Sequence, residues 1–282
     1  MDVTVPEVSV ITVTRSRALQ LRDAIRSVVQ QDFEGSIEHL VVVDDDEVTV
    51  SSLAGTIRPG RRPLRVLSQG PCSGRRDGDR SFVYPHLARL LNVGVEAAQS
   101  KWVAFLDDDN TFEPNHVRSL VSLAEECGVR AVHSGRQFVW PNGAAFLEPF
   151  LPSASSIEEG CRLYEILCDR GVWLRGTNVV LDRVDERATD VAANSTVMKA
   201  DDPIFLVDQN LWLIDRSLLL QHPIPERFSA KDIADNTCPD DKMLGALVSA
   251  GVQIVASGLA TVRYTVGGGG ISNGEFMNAD AV

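Results

Sequence analysis

Four short apolar runs, separated by polar or helical stretches, organise the first 110 residues. Residues 8–14 (VSVITVT) are β-branched and read as a buried strand. Leu21, Ile25, Val28 and Val29 then recur at helical spacing, with Arg22, Asp23, Arg26 and Gln30 between them, and Gly35 falls in the following turn. HLVVVDDD (39–46) is a second strand that stops on three carboxylates, and Leu64–Leu67 a third. Residues 68–82 are rich in Gly, Ser and Arg and predict an exposed loop. A helix from about His86 to Gln99 leads into WVAFLDDDN (102–110), a fourth strand ending on a carboxylate cluster. The helix after it opens near Pro114 and turns Val117, Leu120, Val121 and Ala124 inward.

Strand–helix–strand units this apolar predict a parallel sheet covered on both faces. In such sheets ligands bind beyond the carboxyl ends of the strands, where the acidic residues at 44–46 fall. Past residue 130 the pattern changes. AVHSGRQFVW, VWLRGTNVVL and LWLIDRSLL read as strands between irregular polar stretches, which suggests a smaller mixed or antiparallel lobe. One helix is clear, about Asp240 to Ala250, burying Met243, Leu244, Leu247 and Val248. The expected division is 1–112 and 113–265 as two halves of the same domain, and 266–282 as a flexible tail or lid.

With 282 residues and 44% hydrophobic content, the chain can bury one large core or two fused ones. The net charge of −12 argues against nucleic acid and anionic membrane surfaces as partners, although a local basic pocket stays compatible with it. Cys72, Cys127, Cys161, Cys168 and Cys238 are odd in number and form no CxxC pair, so they read as free thiols. MDVTVPEVSVITV has no basic leader, and no run approaches a membrane span; a cytoplasmic location is the expectation.

Three adjacent carboxylates in FLDDDN repel one another unless something offsets the charge. Hard Mg²⁺ or Mn²⁺ is suited to this; a solvated acidic turn is the plainer reading of DDD alone. Strand alternation would turn Asp107 and Asp109 one way and Asp108 the other. The wider stretch LLNVGVEAAQSKWVAFLDDDNTFEP resembles the signature of family 2 glycosyltransferases of GT-A fold through Asn92, Gly94, Ala98, Phe105, Leu106, Asp107, Asp109 and Pro114. SVITVTRSRALQLRDAIRSVVQQ is similar to that family's opening strand and helix, and VVVDDDE stands where Val-Asp-Asp-Gly-Ser is usual. The resemblance is close over about residues 8–115 and looser beyond. It departs at Leu91, where the family often has Arg, and at Asp46 and Glu47, which replace Gly-Ser.

The resemblance implies roles by position, with 1–112 as the nucleotide-sugar-binding half and 113–265 as the acceptor-binding half. Thr12, Val13, Thr14 and Arg15 would line the base and ribose, with Asp44 or Asp45 bonded to the base. Asp107 would face the ribose or sugar and share the metal with Asp109, the ion bridging the diphosphate; Asn92 and Asp108 are counted among the donor contacts. Arg263, beside Tyr264 near the end of the chain, would meet the leaving diphosphate. A general base is expected at the start of a late helix. CPDDKMLGALVSAG offers Asp241, with Asp240 as its substitute, and simple helix capping by Asp240 is the competing reading. GGGG at 267–270 lacks the frame of a phosphate loop and suits a hinge. His116, His133 and His222 read as structural, Trp140, Trp173 and Trp212 as core, and Arg75, Arg76 and Arg80 as solvated loop charges.

The expected activity is inverting, metal-dependent transfer from a nucleoside-diphosphate sugar to an acceptor hydroxyl. UDP is preferred on family frequency, and dTDP and GDP remain open. Alternatives are a sugar-1-phosphate nucleotidyltransferase, disfavoured because VTRSRALQL has no glycine, and a non-catalytic nucleotide-sugar-binding protein. The acceptor, a small molecule or a lipid-linked one, and any homo-oligomer are left undecided.

Overall fold

The computed structural model describes residues 5–53, 62–185 and 199–267. The expected lid therefore lies almost wholly outside the described residues. In the first part β1 (Val8–Thr14), α1 (Ala18–Val29), β2 (Ile37–Asp44), α2 (Glu47–Leu53), β3 (Leu64–Gln69), α3 (Arg80–Ala97) and β4 (Trp102–Phe105) alternate. Next come β5 (Thr111–Phe112), α4 (His116–Cys127), β6 (Ala131–Val139), α5 (Ile157–Asp169), β7 (Val179–Val180), β8 (Arg183–Val184) and β9 (Phe205–Leu206). β10 (Trp212–Asp215), α6 (Arg216–Gln221), α7 (Ala230–Ala234), α8 (Pro239–Ser249) and β11 (Ile254–Thr265) complete the described chain.

The sheet runs β3-β2-β1-β4-β10-β6-β11-β5, with β7 on β6, and β8 and β9 form a small antiparallel pair. β1, β2, β3 and β4 are parallel, as is β11 to β6; β10 and β5 run against their neighbours. The expected α/β fold with a mostly parallel sheet is thus present. Every residue of β2 is buried, as a strand covered on both faces requires. Gly94 lets α3 lie directly on β1: a Cβ there would stand 2.5 Å from Ile11 Cγ2.

The later half holds a small antiparallel sheet, β8–β9, as expected, but differs from its sequence reading in detail. Its main strands join the same large sheet. LWLIDRSLL splits into β10 and α6, because the Asp215 side chain accepts from Ser217 N–H and starts a helix. Of VWLRGTNVVL only Val179 and Val180 form a strand. Two of the longer elements went unread. α5 is capped by Ser156 and buries Leu163, Tyr164 and Leu167 against an aromatic cluster with Phe138, Phe146 and Trp173. β11 is obscured by register shifts between Ala256 and Val262, which break its alternation. α3 also begins six residues before His86, since Asp79 accepts from Ser81 N–H and caps it.

Trp173 and Trp212 are core, and burial holds His116 and His133 neutral, with pKa values pushed down to about 3 and about 4. The five cysteines are free. Among the described residues no helix is long and apolar enough to cross a membrane.

Candidate active site

β1 lies between β2 and β4, so the chain leaves β1 toward one side of the sheet and returns to the other. The loops beyond β1 and β4 diverge at this switch point and open a crevice. A cavity of about 480 Å³ occupies it, lined from β1 by Val13, Thr14, Arg15 and Arg17 and from beyond β4 by Asp107, Asp108 and Asp109.

At one end Asp44 closes β2. Arg75 donates to both of its oxygens, Nη2 to Oδ1 at 2.8 Å and Nη1 to Oδ2 at 2.9 Å, and His86 Nε2 lies 2.9 Å from Oδ1. Burial works to raise the Asp44 pKa, but these hydrogen bonds outweigh it and hold the group below the usual carboxylate range. Arg75 is therefore no solvated loop charge. It is 15% exposed, sits over the Phe82 ring, and ties the 70–79 loop to the sheet. Arg76, at 65% exposure, remains one. Arg15 reaches across to Asp77 at 2.8 Å.

At the other end β4 stops at Phe105 and the three aspartates lie in a turn, so strand alternation does not govern them. Asp107 is turned toward the 209–211 turn: Gln209 Nε2 donates to Oδ1 at 2.9 Å and Asn210 Nδ2 to Oδ2 at 2.7 Å. Asp108 accepts from Thr14 Oγ1 at 2.7 Å, and Arg17 joins Asp108 to Asp109, 2.8 Å from each. Asp208 stands nearby, held by Arg136 Nη1 at 2.5 Å, while Arg136 Nη2 holds the buried Asp182 at 3.1 Å. Burial raises the pKa of all three aspartates: Asp107 well above its ordinary value, with Asp109 and Asp208 adding repulsion, Asp108 to about 6, and Asp109 in the same direction.

The third wall comes from α8 and the end of β11, with Cys238, Pro239, Asp240, Tyr264 and Thr265. Asp240 faces the cavity. Asp241 is engaged in the helix cap, its Oδ2 accepting from Cys238 N–H at 3.0 Å and from the thiol at 2.9 Å. Burial raises both carboxyl groups, and for Asp240 the neighbouring Asp241 and Asp208 charges add to it.

Other predicted residues lie elsewhere. Thr12 Oγ1 is buried 2.8 Å from His39 Nε2 and does not line the cavity. Asp45 adopts φ 51° and stands 3.8 Å from Arg75 Nε, outside the lining residues. Asn92 is a structural clamp: its amide donates to Ile224 C=O at 2.9 Å and accepts from Ile224 N–H at 3.0 Å. Arg263 points away, bonding Gly143 C=O at 2.9 Å, whereas its neighbour Tyr264 lines the cavity. Arg17, Arg75, His86 and Asp208 were missed as site residues. Arg17 follows the first strand by three residues, a placement that could have flagged it.

The donor chemistry at 107–109 fits a hard divalent cation, because the candidate ligands are all carboxylate oxygens and a bound cation would offset the cost of holding them ionised where burial and mutual repulsion raise their pKa values. Among the described residues the group whose possible ligand atoms lie within 4.8 Å of one another is instead Cys238, Asp240 and Asp241. A helix N-terminus repels cations and a thiol is a soft ligand, so that group suits capping better.

Residues 85–154 match the family described as Glycosyl transferase family 2. The chain is 29% identical over 129 residues to the succinoglycan biosynthesis protein ExoO of Rhizobium meliloti, and 31% identical over 137 residues to ExoW of the same organism. Each alignment takes in 45% of this chain but only 32% and 38% of those proteins. Among solved structures, S. aureus TarS (residues 1–349) superposes over 92% of this chain and 60% of its own with a TM-score of 0.54 at 15% identity. The same protein in complex with UDP gives a TM-score of 0.55. The shared fold is GT-A.

Proposed function

We propose that the chain is a family 2 glycosyltransferase, in line with the match over residues 85–154 and the two succinoglycan biosynthesis relatives, and that it transfers a sugar, with inversion, from a nucleoside-diphosphate sugar to an acceptor hydroxyl. The observation that carries this reading is the single cavity joining Asp44 and Arg75, at one end, to Asp107–Asp109, Asp208 and Asp240 at the other. The ends suit a nucleoside and a reacting sugar phosphate respectively. TarS has been seen with UDP and with UDP-GlcNAc, which is the ground for preferring a uridine donor. Residues 1–112 would supply the donor side, and 113–265 the acceptor side.

Val13, Thr14 and Arg15 flank the donor, and the Asp44–Arg75 pair fixes the wall on which the base rests. Asp109, with Asp107, would hold Mg²⁺ or Mn²⁺, which when bound supplies positive charge against the diphosphate. Asp240 is the proposed base, in preference to Asp241, whose carboxylate serves the cap. Its raised pKa brings it closer to neutrality, as a general base requires. The acceptor oxygen forms the new bond to the anomeric carbon as its proton passes to Asp240. The bond from that carbon to the diphosphate breaks, and its electron pair leaves with the nucleoside diphosphate. Positioning and fixed charge supply most of the rate.

The test is a melting-temperature panel of UDP, dTDP and GDP with and without Mn²⁺, followed by donor turnover for wild type and Asp109→Ala. A specific binder raises the melting temperature by mass action. Asp109→Ala is expected to lose about 10²-fold or more in kcat. Near-normal turnover by that variant refutes the metal role, and no response to any nucleotide refutes the donor.

A further inference from the structure

Arg17 stands where two of the three clustered aspartates call for a cation. Its Nη1 donates to Asp108 Oδ1 and its Nη2 lies on Asp109 Oδ2, each at 2.8 Å. The side chains are 26%, 5% and 14% exposed for Arg17, Asp108 and Asp109, so this fork is largely withdrawn from water. Arg17 immediately precedes α1 and lines the same cavity as the aspartates. Desolvation lowers the Arg17 pKa, but the two carboxylates more than reverse this, so the guanidinium stays charged.

A dication brought to Asp109 would share that carboxylate with a permanent positive charge. At such range, and away from bulk water, the repulsion between them is strong. A diphosphate in the cavity reverses the balance, because its negative charge is attracted to the guanidinium and the dication together. A lysine at position 17 would keep the repulsion; glutamine would remove it and retain polar donors.

Building on the reading of a metal-assisted nucleoside-diphosphate donor, we propose that Arg17 is a positioning residue that holds Asp108 and Asp109 and keeps their affinity for a divalent cation low until the diphosphate arrives. Cation and donor then bind as a coupled pair. By linkage, whatever factor the nucleotide adds to metal affinity the metal adds to nucleotide affinity.

The experiment measures Mn²⁺ binding from the electron paramagnetic resonance signal of free Mn²⁺, with and without UDP, for wild type, Arg17→Gln, Arg17→Lys and Asp109→Ala. Thermal melts report folding. Without UDP, Arg17→Gln is expected to bind Mn²⁺ about tenfold tighter than wild type, with Arg17→Lys close to wild type. UDP should tighten Mn²⁺ binding about tenfold or more in wild type and by a smaller factor in Arg17→Gln. A folded Arg17→Gln that binds Mn²⁺ equally or more weakly overturns the proposal. So does wild type whose Mn²⁺ affinity UDP leaves unchanged, a result that holds even if the variant fails to fold. Asp109→Ala that still binds Mn²⁺ like wild type removes the metal site itself and this proposal with it. Loss of binding in Asp109→Ala alongside an unchanged Arg17→Gln overturns the role of Arg17 alone.

Discussion

Replacing Arg75 by methionine keeps the aliphatic stem and removes the guanidinium from Asp44. Asp44 is 7% exposed and would retain one close partner, His86 at 2.9 Å. Breaking a buried ion pair on one side costs about 3–5 kcal/mol. Here Arg75 is partly exposed and His86 remains, so we expect about 2–3 kcal/mol at pH 7. The pH dependence gives a sharper check. In the wild type the Asp44 pKa is depressed, so its contribution is present above the unfolded value of about 3.9 and is lost as pH falls through the folded value. In Arg75→Met burial acts with weaker opposition and raises that pKa, so the variant is penalised at neutral pH and relieved as Asp44 protonates. The stability gap should be widest near neutrality and narrow toward about pH 4. Urea melts followed by fluorescence of the buried Trp173 and Trp212 would measure it. A gap below about 0.5 kcal/mol at pH 7, or one indifferent to pH, would refute the assignment of Arg75 as the partner that keeps Asp44 ionised.

The two carboxylates of α8 should separate in kinetics and stability. Asp240→Asn is expected to lower kcat by about 10²–10⁴ with little change in melting, measured by donor turnover under saturating acceptor. Asp241→Asn should instead cost about 1 kcal/mol of stability through the weakened cap, with a smaller loss of rate; the reverse ranking would restore Asp241 as base. Asn92→Leu leaves the Ile224 N–H and C=O unpaired and should cost about 2–3 kcal/mol, while nucleotide affinity by calorimetry stays within about twofold. A fall in affinity without loss of stability would return Asn92 to the donor site.

Much of the site was legible because it lies at the ends of strongly patterned strands. Thr14, Asp44 and Asp107–Asp109 follow apolar runs whose direction in a parallel sheet is forced, so their convergence at one edge follows from pattern alone. The partners were not legible. Arg75 sits 31 residues from Asp44 in a Gly-rich loop, and nothing local distinguishes it from Arg76, which stays in solvent. Asn92 and Gly94 carry a motif shared with a nucleotide-binding family, yet one clamps the 224–226 segment and the other permits α3 to touch β1. A motif records that residues are needed, without saying whether for ligand or for packing.

From the chain alone came the parallel α/β half, the acidic ends of its second and fourth strands, and the late helix opening on Asp240 and Asp241, since each rests on short-range periodicity and capping. Tertiary structure alone decided how the later strands join one sheet, which of the two α8 aspartates meets the cavity, and which arginines neutralise which carboxylates. Those outcomes depend on contacts between residues tens of positions apart, where burial and charge pairing, rather than local preference, set the energy.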